Sequence, residues 1–197
     1  NSTSTSYLST SPFVGWGHPE GLALGDSHYW GVWWGMEPFS NYEKRIGRFM
    51  TEYGFQSMPD FMTFKTFSSE NELALGSKAI AAHQKHKTGY QTIQTYLERD
   101  YKTPEGFRNS IYLSQLLQRD GMKIAIEAHR RNKPFCMGTL FWQLNDCWPG
   151  TSWSALDYYQ RPKAFFYALK ELYKTQLISV SSAKDKLEIN CVSDSLR

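Results

Sequence analysis

The amino-acid sequence predicts an α/β protein in which buried strands alternate with helices. Residues 48–55 and 135–144 are short apolar runs, each long enough for one buried strand. Between them, residues 70–133 repeat apolar side chains three, four and seven positions apart, which is the spacing of an amphipathic helix. A strand, a helical region and a second strand form a βαβ unit with parallel strands.

The first 47 residues are predicted to hold earlier strands of the same sheet. Aromatic runs at residues 6–8, 13–17 and 29–35 are separated by glycines, a pattern typical of strands joined by loops. This chain has 197 residues. A complete (β/α)8 barrel usually needs roughly 250 residues, so we expect a partial barrel with about half of the repeats.

Residues in the second half of the chain predict the helix boundaries and one further strand. Pro104 lies near the predicted start of the long helix, and Asn132 and Pro134 mark its end. Pro162 suits the first turn of a further helix, because its fixed φ is helical and its missing N–H is not needed there. Residues 186–192 alternate in polarity like a strand and predict the opening of another, all-β domain.

The composition disfavours several classes of partner. The 22 Lys and Arg residues are scattered among 19 Asp and Glu residues, so the net charge of +3 forms no stripe for nucleic acid. Three cysteines at no metal-like spacing predict neither a zinc site nor a disulfide framework, and no cofactor is expected. The sequence lacks an apolar run near the ~20 residues that span a bilayer, so no membrane partner is predicted.

Glu52 is the strongest candidate for chemistry. It is a single carboxylate among large side chains, where burial is unfavourable unless the charge is paired. It also ends an apparent parallel strand just before Gly54, and barrel enzymes carry catalytic residues at the C-terminal ends of their strands. From these residues alone, a structural, salt-bridged glutamate is the alternative.

Tryptophans are predicted to surround this carboxylate. The chain holds 7 Trp, 12 Tyr and 12 Phe, more than a small core needs, so some are expected to face a ligand. Trp142 lies at the corresponding place on the next strand, and Trp16 and Trp34 at the ends of two earlier ones. Aromatic rings offer flat surfaces to the C–H face of a pyranose, which predicts a sugar pocket; core packing is the alternative for each ring.

Polar residues beside these aromatic residues are candidates for binding sugar hydroxyls. Asp26, His28 and Tyr29 lie in the segment GDSHYW, and Asn145 follows Trp142 closely. Asp26 and His28 are predicted to bind hydroxyl groups or to orient the nucleophile. The alternative is an aspartate that caps a turn beside a histidine bonded to the backbone.

Three long segments resemble glycoside hydrolase family 2, and most closely its β-mannosidases. They are GDSHYWGVWWGMEPF, RFMTEYGFQSMP and MGTLFWQLNDCWPGTSWSALDYYQRPKAFFYALK, and the likeness extends over about residues 11–174. The resemblance implies a retaining exo-glycosidase that removes terminal β-linked mannose from non-reducing ends. It also implies β-sandwich domains arranged around a catalytic (β/α)8 barrel.

The resemblance assigns roles and boundaries in this chain. It makes Glu52 the nucleophile at the end of the seventh strand and Trp142 the aromatic floor at the end of the eighth, where related enzymes often carry a cis peptide bond. Residues 1–176 would then supply strands five to eight with their helices. Residues 177–197 would form a linker and the truncated start of an immunoglobulin-like β-sandwich domain.

One residue of the family has no match here. The general acid/base is the glutamate of an Asn-Glu pair on the fourth strand, upstream of the nucleophile, whereas Asn71-Glu72 follows Glu52 in a polar stretch. We therefore expect the isolated chain to be inactive. It should need the rest of the full-length enzyme, or self-associate through the exposed edges of its sheet.

Two other functions are compatible with the residues. One is a different specificity of the same family, such as β-galactosidase or exo-β-glucosaminidase. The other is a non-catalytic carbohydrate-binding module. The predicted partner is a carbohydrate in every case, and a β-mannoside in the preferred interpretation.

Overall fold

Three short parallel stretches of backbone lie side by side in the computed structural model, which describes residues 7–183 and 185–195. Strand β1 (Ser27–His28) pairs with β2 (Met50–Glu52), and a third stretch joins β2 through a parallel bridge between Met50 and Thr139. The amide of Met50 donates to Gly138 at 2.9 Å, and the amide of Leu140 donates back to Met50 at 2.8 Å. The C-terminal ends of all three stretches therefore meet at one edge.

The strands are shorter and fewer than the sequence predicts. The run 48–55 forms a strand only at β2, and the run 135–144 contributes a single bridge. The predicted strands at residues 13–17 and 29–35 are wrong, because both segments form turns and bends; residue 6 of the run 6–8 lies outside the described residues, and residues 7–8 form no strand.

Glycines explain the turn at residues 29–35. The carbonyl of Trp30 accepts hydrogen bonds from Trp34 at 2.9 Å and from Gly35 at 3.2 Å, as in a helical turn. A side chain at Gly35 would collide with the backbone of Gly31, so this tight turn depends on glycine. Aromatic content alone does not reveal this close approach.

The helical region is confirmed as several separate helices. They are α1 (Phe61–Phe64), α2 (Lys78–Ala82), α3 (Gly89–Asp100), α4 (Phe107–Arg131) and α5 (Ala164–Leu172), with 3-10 helices at Pro19–Leu22, Phe39–Glu43 and Glu70–Glu72. Helix α4 begins three residues after Pro104 and is capped by Asn132, as predicted. Pro162 lies outside the first turn of α5, because Lys163 is extended and serves as its N-cap.

An aromatic core fills the space between the parallel stretches and the helices α3 and α4. Trp33, Tyr53, Phe55 and Tyr96 are buried, and Phe55 packs edge-on against both Trp33 and Tyr96. These buried aromatic side chains therefore stabilise the fold by packing against one another. The α/β class is confirmed, with small sheets.

A hairpin ends the described chain. Strand β3 (Gln176–Ala183) pairs antiparallel with β4 (Lys186–Ser193), which confirms the predicted strand at residues 186–192. One face packs on α4, where Ser179 donates to Glu127 at 2.6 Å. The opposite face exposes apolar side chains, namely Ile178, Val180, Leu187 and Ile189. Among the described residues, no helix is both long and apolar enough to cross a membrane.

Candidate active site

Glu52 lies at the C-terminal edge of the parallel stretches with its side chain 25% exposed. The indole N–H of Trp30 donates to Glu52 Oε1 at 2.8 Å. The same oxygen is 3.5 Å from His28 Nδ1. Within the described part of the chain, no Lys or Arg pairs with Glu52, so its surroundings differ from those of a salt-bridged structural carboxylate.

His28 lies between two carboxylates. Its Nδ1 faces Glu52, while its Nε2 is 3.8 Å from Asp26 Oδ2. Asp26 Oδ2 accepts hydrogen bonds from Ser11 at 2.6 Å and from Thr51 at 2.7 Å. Burial would raise the pKa of Asp26, but these hydrogen bonds outweigh it and hold the pKa below the usual value. Asp26 is therefore held as a carboxylate beside the imidazole of His28.

Trp142 is brought to the same edge by the backbone. Its amide donates to the carbonyl of Tyr53 at 2.8 Å, directly after Glu52 in the chain. A Cβ at Gly54 would collide with the carbonyl of Trp142, so glycine is required for this approach. Trp142 is 44% exposed, which leaves it available to a ligand. The Trp142–Gln143 peptide bond is cis, as the resemblance implies.

A polar network holds the loop that follows Trp142. Asp146 accepts hydrogen bonds from Gln143 at 3.0 Å, from Ser152 at 2.7 Å and from Ser154 at 2.6 Å. Since Gln143 is the immediate neighbour of Trp142, Asp146 links the aromatic residue to the far side of its own loop.

Lys163 is a buried cation beneath this loop. Its ammonium group donates to the carbonyls of Ser57 and Ser152, each at 3.1 Å. Burial lowers the pKa of Lys163 to about 8, against the opposing effect of Asp146 and Asp157. The two carbonyls belong to the segments that follow Glu52 and Trp142, so Lys163 ties these segments together.

The other predicted site residues are placed less centrally. Trp16 and Trp34 are exposed but lie in turns, so their assignment to strand ends is wrong. Trp34 packs on His86, with ring centres 4.3 Å apart. Tyr29 is buried, and Asn145 is exposed in the loop after Trp142.

Sequence reasoning missed Trp30 and Lys163. Trp30 follows His28 by two residues, but the direction of its N–H depends on the turn at residues 30–35. Lys163 follows a proline before a helix, where a lysine ordinarily lies in solvent. Among the described residues, no group of three or more His, Cys, Asp or Glu side chains forms a metal site.

Comparison with known proteins identifies the relatives of this chain. A β-mannosidase B of Aspergillus terreus is 33% identical over 184 residues, which cover 91% of this chain and 22% of the relative. The crystal structure of a β-D-mannosidase from Dictyoglomus thermophilum matches 92% of this chain and 23% of its own, with 37% identity and a TM-score of 0.87. The chain is related to the β-mannosidases of glycoside hydrolase family 2.

This relationship to β-mannosidases confirms the resemblance stated from the sequence. The chain spans about a fifth of the length of the curated β-mannosidases that it matches, and no family model matches it. The exo-chitosanase CsxA of Amycolatopsis orientalis shares the fold, with a TM-score of 0.64 and 21% identity over 77% of this chain and 20% of its own.

Proposed function

We propose that this chain is part of a retaining exo-β-mannosidase and supplies its nucleophile, Glu52. The observation that carries the proposal is the setting of this carboxylate. It lies at the C-terminal edge of parallel strands, one oxygen is held by Trp30, and no described lysine or arginine neutralises it. A carboxylate that is fixed in direction but not paired with a cation keeps its capacity to attack carbon.

The mechanism is a double displacement. Glu52 attacks the anomeric carbon of mannose while a second, protonated carboxyl group gives its proton to the departing oxygen. Water then attacks the glycosyl-enzyme and releases mannose, with the second carboxyl group acting as base. In retaining enzymes these two carboxyl groups lie about 5 to 5.5 Å apart.

The second carboxyl group is proposed to come from outside this chain. Glu72, of the Asn71-Glu72 pair, lies in the 3-10 helix Glu70–Glu72, and Ser69 donates to its carboxylate at 3.0 Å. That helix follows β2 and lies in none of the three parallel stretches. The isolated chain is therefore expected to lack useful hydrolytic activity.

The remaining site residues are proposed to bind and position the sugar. Trp142 is placed to stack on the mannose ring beside Glu52, and Trp16, Trp34 and Asn145 expose side chains for further contacts. Asp26 and His28 are proposed to orient Glu52. Tyr29 is proposed to hold Glu37 through a hydrogen bond.

The architecture proposed for this function is a partial (β/α)8 barrel at residues 1–176. The three hydrogen-bonded parallel stretches support it, and the hairpin β3–β4 supports a β-sandwich domain that begins within residues 177–197. The outer edges of the parallel stretches would pair with the rest of the full-length protein, or with another copy.

A panel of 4-nitrophenyl glycosides tests the specificity of the full-length protein. We expect the β-mannoside to give the highest kcat/KM. A preference for β-glucosaminide would favour the alternative that the fold of CsxA suggests, and a preference for β-galactoside would favour the other alternative. Binding without hydrolysis of any glycoside would favour a carbohydrate-binding module.

The substitution Glu52→Gln tests the nucleophile in the same protein. The amide keeps the shape and cannot form the glycosyl-enzyme, so kcat should fall by about 10⁴-fold or more. Glu70→Gln is the matched control, because Glu70 is an exposed glutamate of the 3-10 helix. Near-normal activity of Glu52→Gln would remove this residue from the role.

A further inference from the structure

Lys163 is fully buried between the segment that follows Glu52 and the loop that follows Trp142. Its ammonium group donates to the carbonyls of Ser57 and Ser152. Each of these carbonyls also accepts the backbone N–H of the other serine, so neither oxygen depends on Lys163 for a hydrogen bond. A buried cation is unfavourable, and an apolar side chain of similar size is often as stable in its place. Stability alone therefore does not account for a lysine at this position.

The backbone of Lys163 is linked to the residue beside Trp142. The amide of Lys163 donates to the carbonyl of Ala155 at 3.0 Å. The amide of Ala155 donates in turn to the carbonyl of Gln143, also at 3.0 Å. Because Gln143 directly follows Trp142 in the chain, a shift of Lys163 is transmitted to the backbone that carries the indole.

The side chain of Lys163 reaches the same glutamine through a carboxylate. It holds the carbonyl of Ser152, whose hydroxyl donates to Asp146 at 2.7 Å. Asp146 also accepts a hydrogen bond from Gln143 at 3.0 Å. The charge of Asp146 favours the protonated form of Lys163, in opposition to burial. Two separate routes therefore connect Lys163 with the neighbour of Trp142.

Two carboxylates, Asp146 and Asp157, act on the charge of Lys163. The backbone amide of Arg161 donates to Asp157 at 2.9 Å, and its guanidinium binds a threonine hydroxyl. Helix α4 adds the uncharged Gln118, which donates to backbone carbonyls on both segments. Loss of the proton from Lys163 would therefore remove a positive charge that attracts Asp146 and, through it, holds the loop.

We propose that Lys163 is a positioning residue whose protonated form holds the loop so that Trp142 faces a sugar at Glu52. The inference rests on the proposed function and adds to it a residue that acts through the loop. The ammonium group donates to backbone carbonyls and not to Glu52, so it affects binding of the sugar more than the attack on carbon. A buried charge that lowers stability while improving binding is a known compromise at functional sites.

Inhibition of the full-length protein by mannose measures binding separately from chemistry. Lys163→Met should raise the inhibition constant about tenfold, as expected for one misplaced stacking contact, and keep kcat for a β-mannoside within about threefold. The free energy of unfolding should not fall, because the buried charge is removed as well. Lys170→Met, at an exposed lysine of α5, is the matched control and should change none of these quantities.

Two results for Lys163→Met would overturn the inference. One is an unchanged inhibition constant. The other is a loss of stability that accompanies the weaker binding, since Lys163 would then have a purely structural role. A wild-type protein that neither hydrolyses a β-mannoside nor binds mannose would instead contradict the proposed function itself.

The pH profile of the wild-type protein is a second measurement and needs no variant that folds. Because burial lowers the pKa of Lys163 to about 8, the folded protein loses this proton above that pH. The inhibition constant of mannose should therefore rise several-fold between about pH 7 and pH 9.5, a range above the titration of ordinary carboxyl groups. A constant value across this range would overturn the inference.

Discussion

The segment that follows Glu52 and the segment that follows Trp142 are held in place by different interactions. Residues 53–59 are buried without interruption, and Tyr53 and Phe55 enter the aromatic core. Residues 143–161 are mostly half-buried or exposed, and hydrogen bonds to Asp146 fix them instead. The segment after Glu52 is therefore held by apolar packing, whereas the segment after Trp142 is held by a polar network.

A backbone bridge joins the two segments. Ser57 and Ser152 form an antiparallel bridge, with Ser57 donating to Ser152 at 2.9 Å and accepting in return at 3.3 Å. Lys163 donates to both carbonyls of this bridge. The bridge and Lys163 therefore add a polar tie to the direct hydrogen bond between the Trp142 amide and the Tyr53 carbonyl.

Removing a core ring should have the largest effect on stability. Phe55→Ala deletes a ring that packs against Trp33, Phe39 and Tyr96, so the free energy of unfolding should fall by about 3 to 5 kcal/mol. Urea unfolding of the full-length protein measures this change. Phe166→Ala, at an exposed ring of α5, is the matched control and should change it little. A loss below about 1 kcal/mol for Phe55→Ala would contradict the packing account.

Lys163 should make stability depend on alkaline pH. Because its pKa falls from 10.5 when unfolded to about 8 when folded, burial of the charged form destabilises the folded state at and below pH 8. That penalty, about 3 kcal/mol, should disappear as the pH rises from about 8 toward 10.5. Lys163→Met should remove this pH-dependent term, and Lys170→Met, at an exposed lysine, should keep it. Equal profiles for both variants would show that Lys163 is not buried as a cation.

Asp146→Ala should lower stability less than Phe55→Ala does, and it should weaken substrate binding. It removes the acceptor for Gln143, Ser152 and Ser154, which should lower the free energy of unfolding by about 1 to 3 kcal/mol. Since the loop of Trp142 loosens while the Glu52 segment keeps its packing, KM for a mannoside should rise more than kcat falls. A fall in kcat with unchanged KM would contradict the division between the two segments.

The sequence predicted the apolar packing around Glu52 better than it predicted the polar interactions that hold the segment after Trp142. The apolar run around Glu52 and the periodic face of α4 are visible because burial leaves a local pattern. Lys163 acts through a partner that is distant in the chain, Ser57, and no local pattern predicts this contact. Candidate residues that depend on burial are therefore easier to predict than those that depend on a network.

The aromatic content of residues 29–35 led to a wrong prediction of a strand, because glycines determine the backbone conformation there. The segment 29–35 has the composition of a strand, but Gly31 and Gly35 allow a tight turn that directs Trp30 toward Glu52. The same turn buries Trp33 and exposes Trp34. The separation of core rings from exposed rings follows from this geometry and not from residue type.

Covalent labelling of the full-length protein tests the central claim most directly. A 2-deoxy-2-fluoro-β-mannosyl fluoride forms a glycosyl-enzyme that hydrolyses slowly, because fluorine at C2 destabilises the oxocarbenium-like transition state. Mass spectrometry of the digested protein should find one fluoromannosyl group on the peptide that contains Glu52. A label on a different carboxylate would contradict the assignment of Glu52 as nucleophile.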